Sequence, residues 1–177
     1  MVQTASKQNT RYVTEKPVAA CLHPRQPLPS SPMPATDLTA AEVATLHERA
    51  TDTASNSYSP YSHFRVGAAI LLHPDGSQAG VIVTGTNVEN ASYRLTTCAE
   101  QAAIAAAVTL YGPGIRIRAI AVVNLNVAAC MPCGACRQTI LEFAAPETVI
   151  FYPSATGEVI TTTLAALLPA AFRLNSE

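Results

Sequence analysis

The sequence predicts an α/β fold of three layers, α/β/α, with helices on both faces of one mixed sheet of about five strands. Two observations carry this expectation. Strand-length and helix-length segments alternate through the middle of the 177-residue chain, the pattern of a sheet whose connections cross over its faces. Residues 117–124 form a near-continuous apolar run of strand length, as in a strand covered on both sides.

The elements follow in order. Residues 1–36 carry Pro17, Pro24, Pro27, Pro29, Pro32 and Pro34 at irregular spacing among Ser, Thr and Gln, and read as a disordered tail. Lys7, Arg11, Lys16 and Arg25 do not make it a targeting peptide, because Glu15 and the prolines oppose an amphipathic helix. The remaining 37–177 fit one domain with its own core. Thr39 and Glu42 are spaced as a capping box, with Leu38 and Val43 as its hydrophobic staple, so a helix is expected over 40–55, ended by Asn56-Ser57-Tyr58-Ser59-Pro60.

Phe64, Val66, Ala68, Ile70 and Leu72 alternate with other residues as a strand does, and Pro74-Asp75-Gly76 turns it back into a second strand over 80–86. A loop with Asn87-Val88-Glu89-Asn90 leads to a helix over 98–111, stopped by Gly112-Pro113-Gly114. Its Ala102, Ala103, Ala105, Ala106 and Ala107 permit close backbone approach. After the strand at 117–124 come a helix over 133–144 with Pro146 beyond it, strands over 149–152 and 158–162, and a short helix over 163–168 before Pro169.

With 49% hydrophobic residues, 13% charged and a formal net charge of −1, the chain is poorly suited to gripping polyanions. No nucleic-acid polymer is expected as a partner. No uncharged apolar run reaches the roughly 18 residues of a membrane span, and the N-terminus lacks the apolar core of a secretory signal. A cytoplasmic protein without a membrane partner is expected. Five cysteines are odd in number and too sparse for a disulfide scaffold, which points to metal binding in a reducing compartment. Cys21 belongs to the tail.

Cys98-Ala99-Glu100 and Pro132-Cys133-Gly134-Ala135-Cys136 read as two halves of one zinc site, the ligand-x-Glu and Pro-Cys-x-x-Cys signature of zinc-dependent deamination in its all-cysteine variant. Three thiolates leave a fourth tetrahedral position for water, whose pKa zinc lowers from about 15.7 toward about 7. Glu100 is then placed to accept that proton, pass it to a pyrimidine ring nitrogen and later protonate the departing amine. Cys98, Cys133 and Cys136 are expected at helix starts, where the dipole favours thiolates. Zn²⁺ with three thiolates sums to −1, and Arg137 is the candidate cation beside it. Cys130, three residues before Cys133, allows a competing closed four-thiolate structural site. Such a site has no use for Glu100 and more often joins two separated Cys-x-x-Cys knuckles.

The segments 61–68 (YSHFRVGA), 87–93 (NVENASY), 97–100 (TCAE), 132–138 (PCGACRQ) and 167–172 (LLPAAF) resemble the small homotetrameric cytidine deaminases, over about residues 40–172. The resemblance implies one zinc per subunit on Cys98, Cys133 and Cys136, with Glu100 as proton shuttle. It implies a free-nucleoside substrate bound by Phe64, Asn87, Glu89 and Ala99, and a homotetramer in which Phe172 enters a neighbouring subunit's site. A carboxylate at Glu89 that accepts from a 3′-hydroxyl would repel the phosphate a polynucleotide carries there. His63 is not expected as a ligand, since a fourth protein ligand would close the site.

Three positions depart from the family pattern. Gln101 stands where an arginine commonly helps neutralise the thiolates, Arg94 where a proline is usual, and Met131 where a serine is usual. The implied activity is hydrolytic deamination of cytidine and 2′-deoxycytidine to uridine and 2′-deoxyuridine plus ammonia. The alternatives are a deaminase of a cytosine nucleoside antibiotic, as in the related blasticidin deaminases, and a non-catalytic structural zinc protein.

Overall fold

In the computed structural model, which describes residues 38–73 and 80–174, the first helix starts where Thr39 and Glu42 place it. The expected proline-rich tail with Cys21, and the turn at Pro74-Asp75-Gly76, lie outside the described residues. Helix α1 (Ala40–Ala54) opens on a full capping box. The Glu42 N–H donates to Thr39 Oγ1 (3.2 Å) and the Thr39 N–H donates to Glu42 Oε2 (2.8 Å), so two helix-end donors are satisfied reciprocally. Leu46, Ala50 and Ala54 form its buried face.

The strands β1 (Val66–Leu72), β2 (Val81–Thr86), β3 (Ile117–Asn124), β4 (Ala144–Pro153) and β5 (Val159–Thr163) make one sheet in the order β2-β1-β3-β4-β5. Neighbours run antiparallel except β3 and β4, which are parallel. One register line crosses it through Val83, Ile70, Ile120, Ile150 and Thr162. Helix α1 covers one face, where Leu46 and Ala50 pack with Ala69, Leu71, Ala119, Ala121 and Phe151. The other face carries α2 (Ala99–Tyr111), α3 (Gly134–Leu141) and α4 (Leu164–Leu167). There Ala103, Ile104, Ala107, Ile140 and Leu164 meet Ala68, Ile70, Ile120 and Ile150. The three-layer mixed sheet is therefore present. Every residue of β1 is buried, because its alternating side chains meet a helix layer on either face.

Helix and sheet backbones touch at two glycines. A Cβ on Gly67 would stand 2.1 Å from Ala50 O, and one on Gly85 2.2 Å from Ala103 N and 2.6 Å from Ala99 O. The second contact explains the alanines of α2, and it sets the start of that helix, which carries the Cys-Ala-Glu motif, directly on β2.

Two expected boundaries need correction. The helix expected over 133–144 ends at Leu141, and β4 begins at Ala144 rather than Val149. Ala144 pairs with Ile117, after which the register shifts before Ala119 meets Val149. Pro146, which has no N–H for a ladder, lies in that irregular stretch. The loop before α2 also holds a 3₁₀ turn, Tyr93–Leu95, that no local signal announced. Among the described residues no helix is long and apolar enough to cross a membrane.

Candidate metal centre and substrate site

Two helix starts converge on one point. Cys98 is the N-cap of α2 and Cys133 the N-cap of α3, while Cys136 lies in the first turn of α3. Their Sγ atoms all fall within 4.8 Å of one another, and those of Cys98 and Cys133 are 3.9 Å apart. A tetrahedral zinc with Zn–S bonds of about 2.3 Å requires sulfur–sulfur edges of about 3.8 Å. The three thiols therefore fit one zinc per chain as three corners of a tetrahedron. Among the described residues no further Cys, His, Asp or Glu joins this cluster.

The thiols are not electrostatically equal. Cys98 is held down to about 7, chiefly because the Cys136 thiol hydrogen-bonds to it, while burial and the nearby Glu100 oppose the shift. Cys136, as that donor and in a buried position, is pushed up. Helix N-termini add partial positive charge to whichever sulfur is ionised. Cys130 stands apart. Burial raises its thiol to about 12, and it packs on the apolar core, so the four-thiolate cluster that Cys130 could have completed is not assembled.

Glu100 is the second residue of α2 and only 5% exposed. Burial pushes its carboxyl above the usual carboxylate range, against smaller opposing hydrogen bonds from its own backbone and the Cys136 thiol. A buried carboxyl within reach of a ligand sulfur can hold a proton and hand it on beside the metal position. Ala99, next to it, is buried against the sheet.

A knitted set of loops sets the polar groups beside this centre. Val88 bridges to Tyr58 on one side and Thr97 on the other, with Glu89 N–H to Tyr58 O at 2.8 Å and the reciprocal Val88–Thr97 pair at 3.0 and 2.9 Å. The strand-like pairing ends one residue before Cys98, which ties the Asn87–Glu89 loop to the metal centre. The buried Asn87 amide is already engaged. Its Oδ1 accepts from Val66 N–H (2.9 Å) and the Ser57 hydroxyl (2.6 Å), and its Nδ2 donates to Phe64 O (2.8 Å). Glu89 accepts at Oε2 from the N–H groups of Tyr61 (2.9 Å) and Ser62 (3.2 Å), and at Oε1 from the Ser62 hydroxyl. The Ser62 hydroxyl is the main reason the Glu89 carboxyl lies below its ordinary range. A cavity of about 430 Å³ opens here, lined by Tyr61, Ser62, Glu89, Tyr93 and Thr96, within the size range of small-ligand sites. Phe64 is half-buried on the edge of the core.

The remaining residues named from the sequence take the following places. Arg137 does not turn its guanidinium to the sulfurs. Its Nε donates to Pro132 O and its Nη1 to Leu167 O, both at 2.8 Å. It therefore clamps the turn into Cys133 against the end of α4. Residues one apart on a helix point about 100° apart, which carries Arg137 off the face that Cys136 presents. Gln101 is half-buried and makes no hydrogen bond to a thiol among the described residues. His63 is exposed, in the left-handed region at φ 56°, and contributes its carbonyl to Asn126 Nδ2 at 2.9 Å. Phe172 is 65% exposed, its backbone carbonyl held by Gln138 Nε2 at 2.8 Å. The roles of Ser57 and Ser62 went unread, because their partners lie 27 to 30 residues away and isolated serines carry no pattern.

Residues 41–152 match the family described as the cytidine and deoxycytidylate deaminase zinc-binding region. Among curated relatives, cytidine deaminase of Mycobacterium tuberculosis is 44% identical over 130 residues, 73% of this chain and 89% of the relative. That of Halalkalibacterium halodurans is 41% identical over 128 residues, 72% and 91%. Among solved structures, cytidine deaminase from Burkholderia pseudomallei superposes with a TM-score of 0.64 at 38% identity, covering 76% of this chain and all of that one.

Proposed function

Because the chain belongs to the cytidine and deoxycytidylate deaminase family, we propose that it hydrolytically deaminates cytidine and 2′-deoxycytidine to the uracil nucleosides and ammonia. One observation carries this reading: three thiols whose sulfurs lie within 4.8 Å of one another, with the buried carboxyl of Glu100 in reach of Cys136. Cys98, Cys133 and Cys136 would hold zinc, which would supply the Lewis acidity that makes water nucleophilic at neutral pH. Glu100 would move both protons: one from the attacking water to N3 as oxygen bonds to C4, and then one from the new C4 hydroxyl to the 4-amino nitrogen, so that the C4–N bond breaks, the C4 carbonyl forms and ammonia leaves. A carboxyl whose affinity for protons is raised by burial suits both directions of transfer.

Hydrogen-bond capacity selects the sugar. Asn87 has spent both Oδ1 lone pairs and one of two Nδ2 protons, and Glu89 has spent three acceptor sites of the roughly four that a carboxylate offers. Among the described residues, one N–H and one carboxylate lone pair remain. They match a single hydroxyl that donates to Glu89 and accepts from Asn87, which we assign to the 3′-hydroxyl. A phosphate ester there would lose the proton and set its charge against Glu89. No demand is made on a 2′-hydroxyl, so ribose and deoxyribose nucleosides are both substrates. Ala99 and Phe64 line the base and sugar.

The exposed Phe172 ring, together with exposed Tyr61 and Tyr93 in the cavity wall, supports a homotetramer in which Phe172 completes a neighbouring site. The working compartment is the cytoplasm. A substrate panel tests the activity. Ammonia release from cytidine and 2′-deoxycytidine, with at least hundredfold lower kcat/KM on 3′-phosphorylated cytidine and on a single-stranded oligonucleotide, is the expected result. Turnover confined to a cytosine nucleoside antibiotic, or to the polymer, would replace this reading.

A further inference from the structure

Resting on the nucleoside reading above, we propose that Ser62 is a positioning residue that sets the Glu89 carboxylate for the sugar hydroxyl and thereby governs selectivity for substrates that carry one. Its hydroxyl has two partners. Ser62 Oγ accepts the Phe64 N–H at 3.0 Å, and its O–H donates to Glu89 Oε1. With the Phe64 N–H directed at one of its lone pairs, the hydroxyl proton has Glu89 as its acceptor.

The two carboxylate oxygens consequently have different duties. Oε2 is filled by the Tyr61 and Ser62 N–H groups at 2.9 and 3.2 Å. Among the described residues Oε1 is held by the Ser62 hydroxyl alone, and it is the oxygen with capacity left for a ligand. Glu89 stands at a loop and is only partly buried, so packing does not fix its carboxylate plane. The Ser62 hydroxyl therefore determines where the remaining lone pair points.

The same oxygen couples two substrate contacts. Phe64 is held at its N–H by Ser62 and at its carbonyl by Asn87 Nδ2 at 2.8 Å. Ser62 thus links the ring beside the nucleoside to the carboxylate under the sugar, in the wall of the cavity that also contains Tyr61, Tyr93 and Thr96. A charge-assisted hydrogen bond that preorganises a binding group acts on affinity for the ligand that group touches. Ser62 contacts Glu89 and Phe64 and has no part in the proton transfers assigned to Glu100, so its removal acts on KM ahead of kcat.

The test compares cytidine with 3′-deoxycytidine on the zinc-loaded Ser62→Ala protein. Its kcat/KM for cytidine falls by about 10- to 100-fold, the effect of losing one hydrogen bond to a charged group, and KM carries most of the fall. The value for 3′-deoxycytidine, which offers Glu89 no hydroxyl, changes less than about threefold, so the preference between the two substrates collapses. Ser62→Thr, which keeps the hydroxyl, restores it. Adding Ser62→Ala to Glu89→Ala changes selectivity no further. An equal fall on both substrates, a fall in kcat alone, or undiminished selectivity would overturn the proposal. Should Ser62→Ala not fold, Ser62→Cys, a weaker donor of similar size, must give an intermediate selectivity. Wild-type protein that leaves cytidine untouched would overturn the nucleoside reading and this role together, whereas active wild type with unaltered selectivity in the variants would overturn this role alone.

Discussion

Glu100→Gln is expected to lower kcat on cytidine by about 10³- to 10⁴-fold while leaving one zinc bound per chain. Glutamine keeps the size and one oxygen of the side chain but cannot take up or deliver the proton, and general acid–base catalysis is worth about 10²- to 10⁴-fold per positioned group. The upper part of that range applies because one carboxyl serves both the entering water and the leaving amine. The substitution is mild for the fold: the site is 5% exposed and already disfavours charge, so a neutral isostere packs there at little cost. Zinc content read beside kcat separates the roles. A variant that keeps its zinc and its turnover would remove Glu100 from the proton path, and one that loses zinc would make it a ligand.

The second large effect concerns the sulfurs. Cys136→Ser removes zinc and leaves no detectable deamination, because a serine hydroxyl stays protonated near neutral pH and cannot replace an anionic ligand. Stability falls too, since metal that binds only the folded chain contributes to folding. Cys130→Ser separates the open site from a closed one. Cys130 lies three residues before Cys133, yet its thiol is held protonated by burial and packs on the apolar core. A hydroxyl in that position costs about 1–2 kcal/mol of stability and leaves zinc and turnover in place. Metal measured on both purified variants decides the matter. Loss of zinc from Cys130→Ser would establish a four-thiolate structural centre.

What was legible in the sequence was what neighbours in sequence determine. Thr39 and Glu42 announce α1 because a capping box is a contact between residues three apart. The bounds of β3 follow from an apolar run that ends at polar Asn124, and the Cys-Ala-Glu and Pro-Cys-x-x-Cys motifs announce the metal centre. The errors came where distant partners decide. Ala144 and Ala145 are good helix formers, and only pairing of Ala144 with Ile117, fixed by the sheet, draws them out of α3. Adjacency in sequence made Arg137 a partner for the thiolates, but the helical turn swings it onto Pro132 O and Leu167 O. Asn87 and Glu89 were visible as polar loop residues. That their capacity is almost used up by Ser57, Phe64, Val66, Tyr61 and Ser62 emerges only when three loops meet.

These placements alter the electrostatic account of the centre. Arg137 keeps its charge but spends its hydrogen bonds on carbonyls, and Gln101 is uncharged, so the groups that meet the formal −1 of zinc and three thiolates directly are the N-termini of α2 and α3, each of which has a cysteine as its N-cap. Two helix ends of about half a charge each are of the right size for that task. The tight seat of α2 on Gly85 fixes the helix end that carries Cys98 and Glu100.

Metal reconstitution tests the central claim most directly. Protein stripped of metal under reducing conditions and titrated with zinc should regain cytidine deamination in proportion to zinc bound, with the rate levelling off at one zinc per chain. Turnover that persists in the stripped protein, or zinc that binds to one equivalent without restoring ammonia release from any cytosine nucleoside, would contradict it.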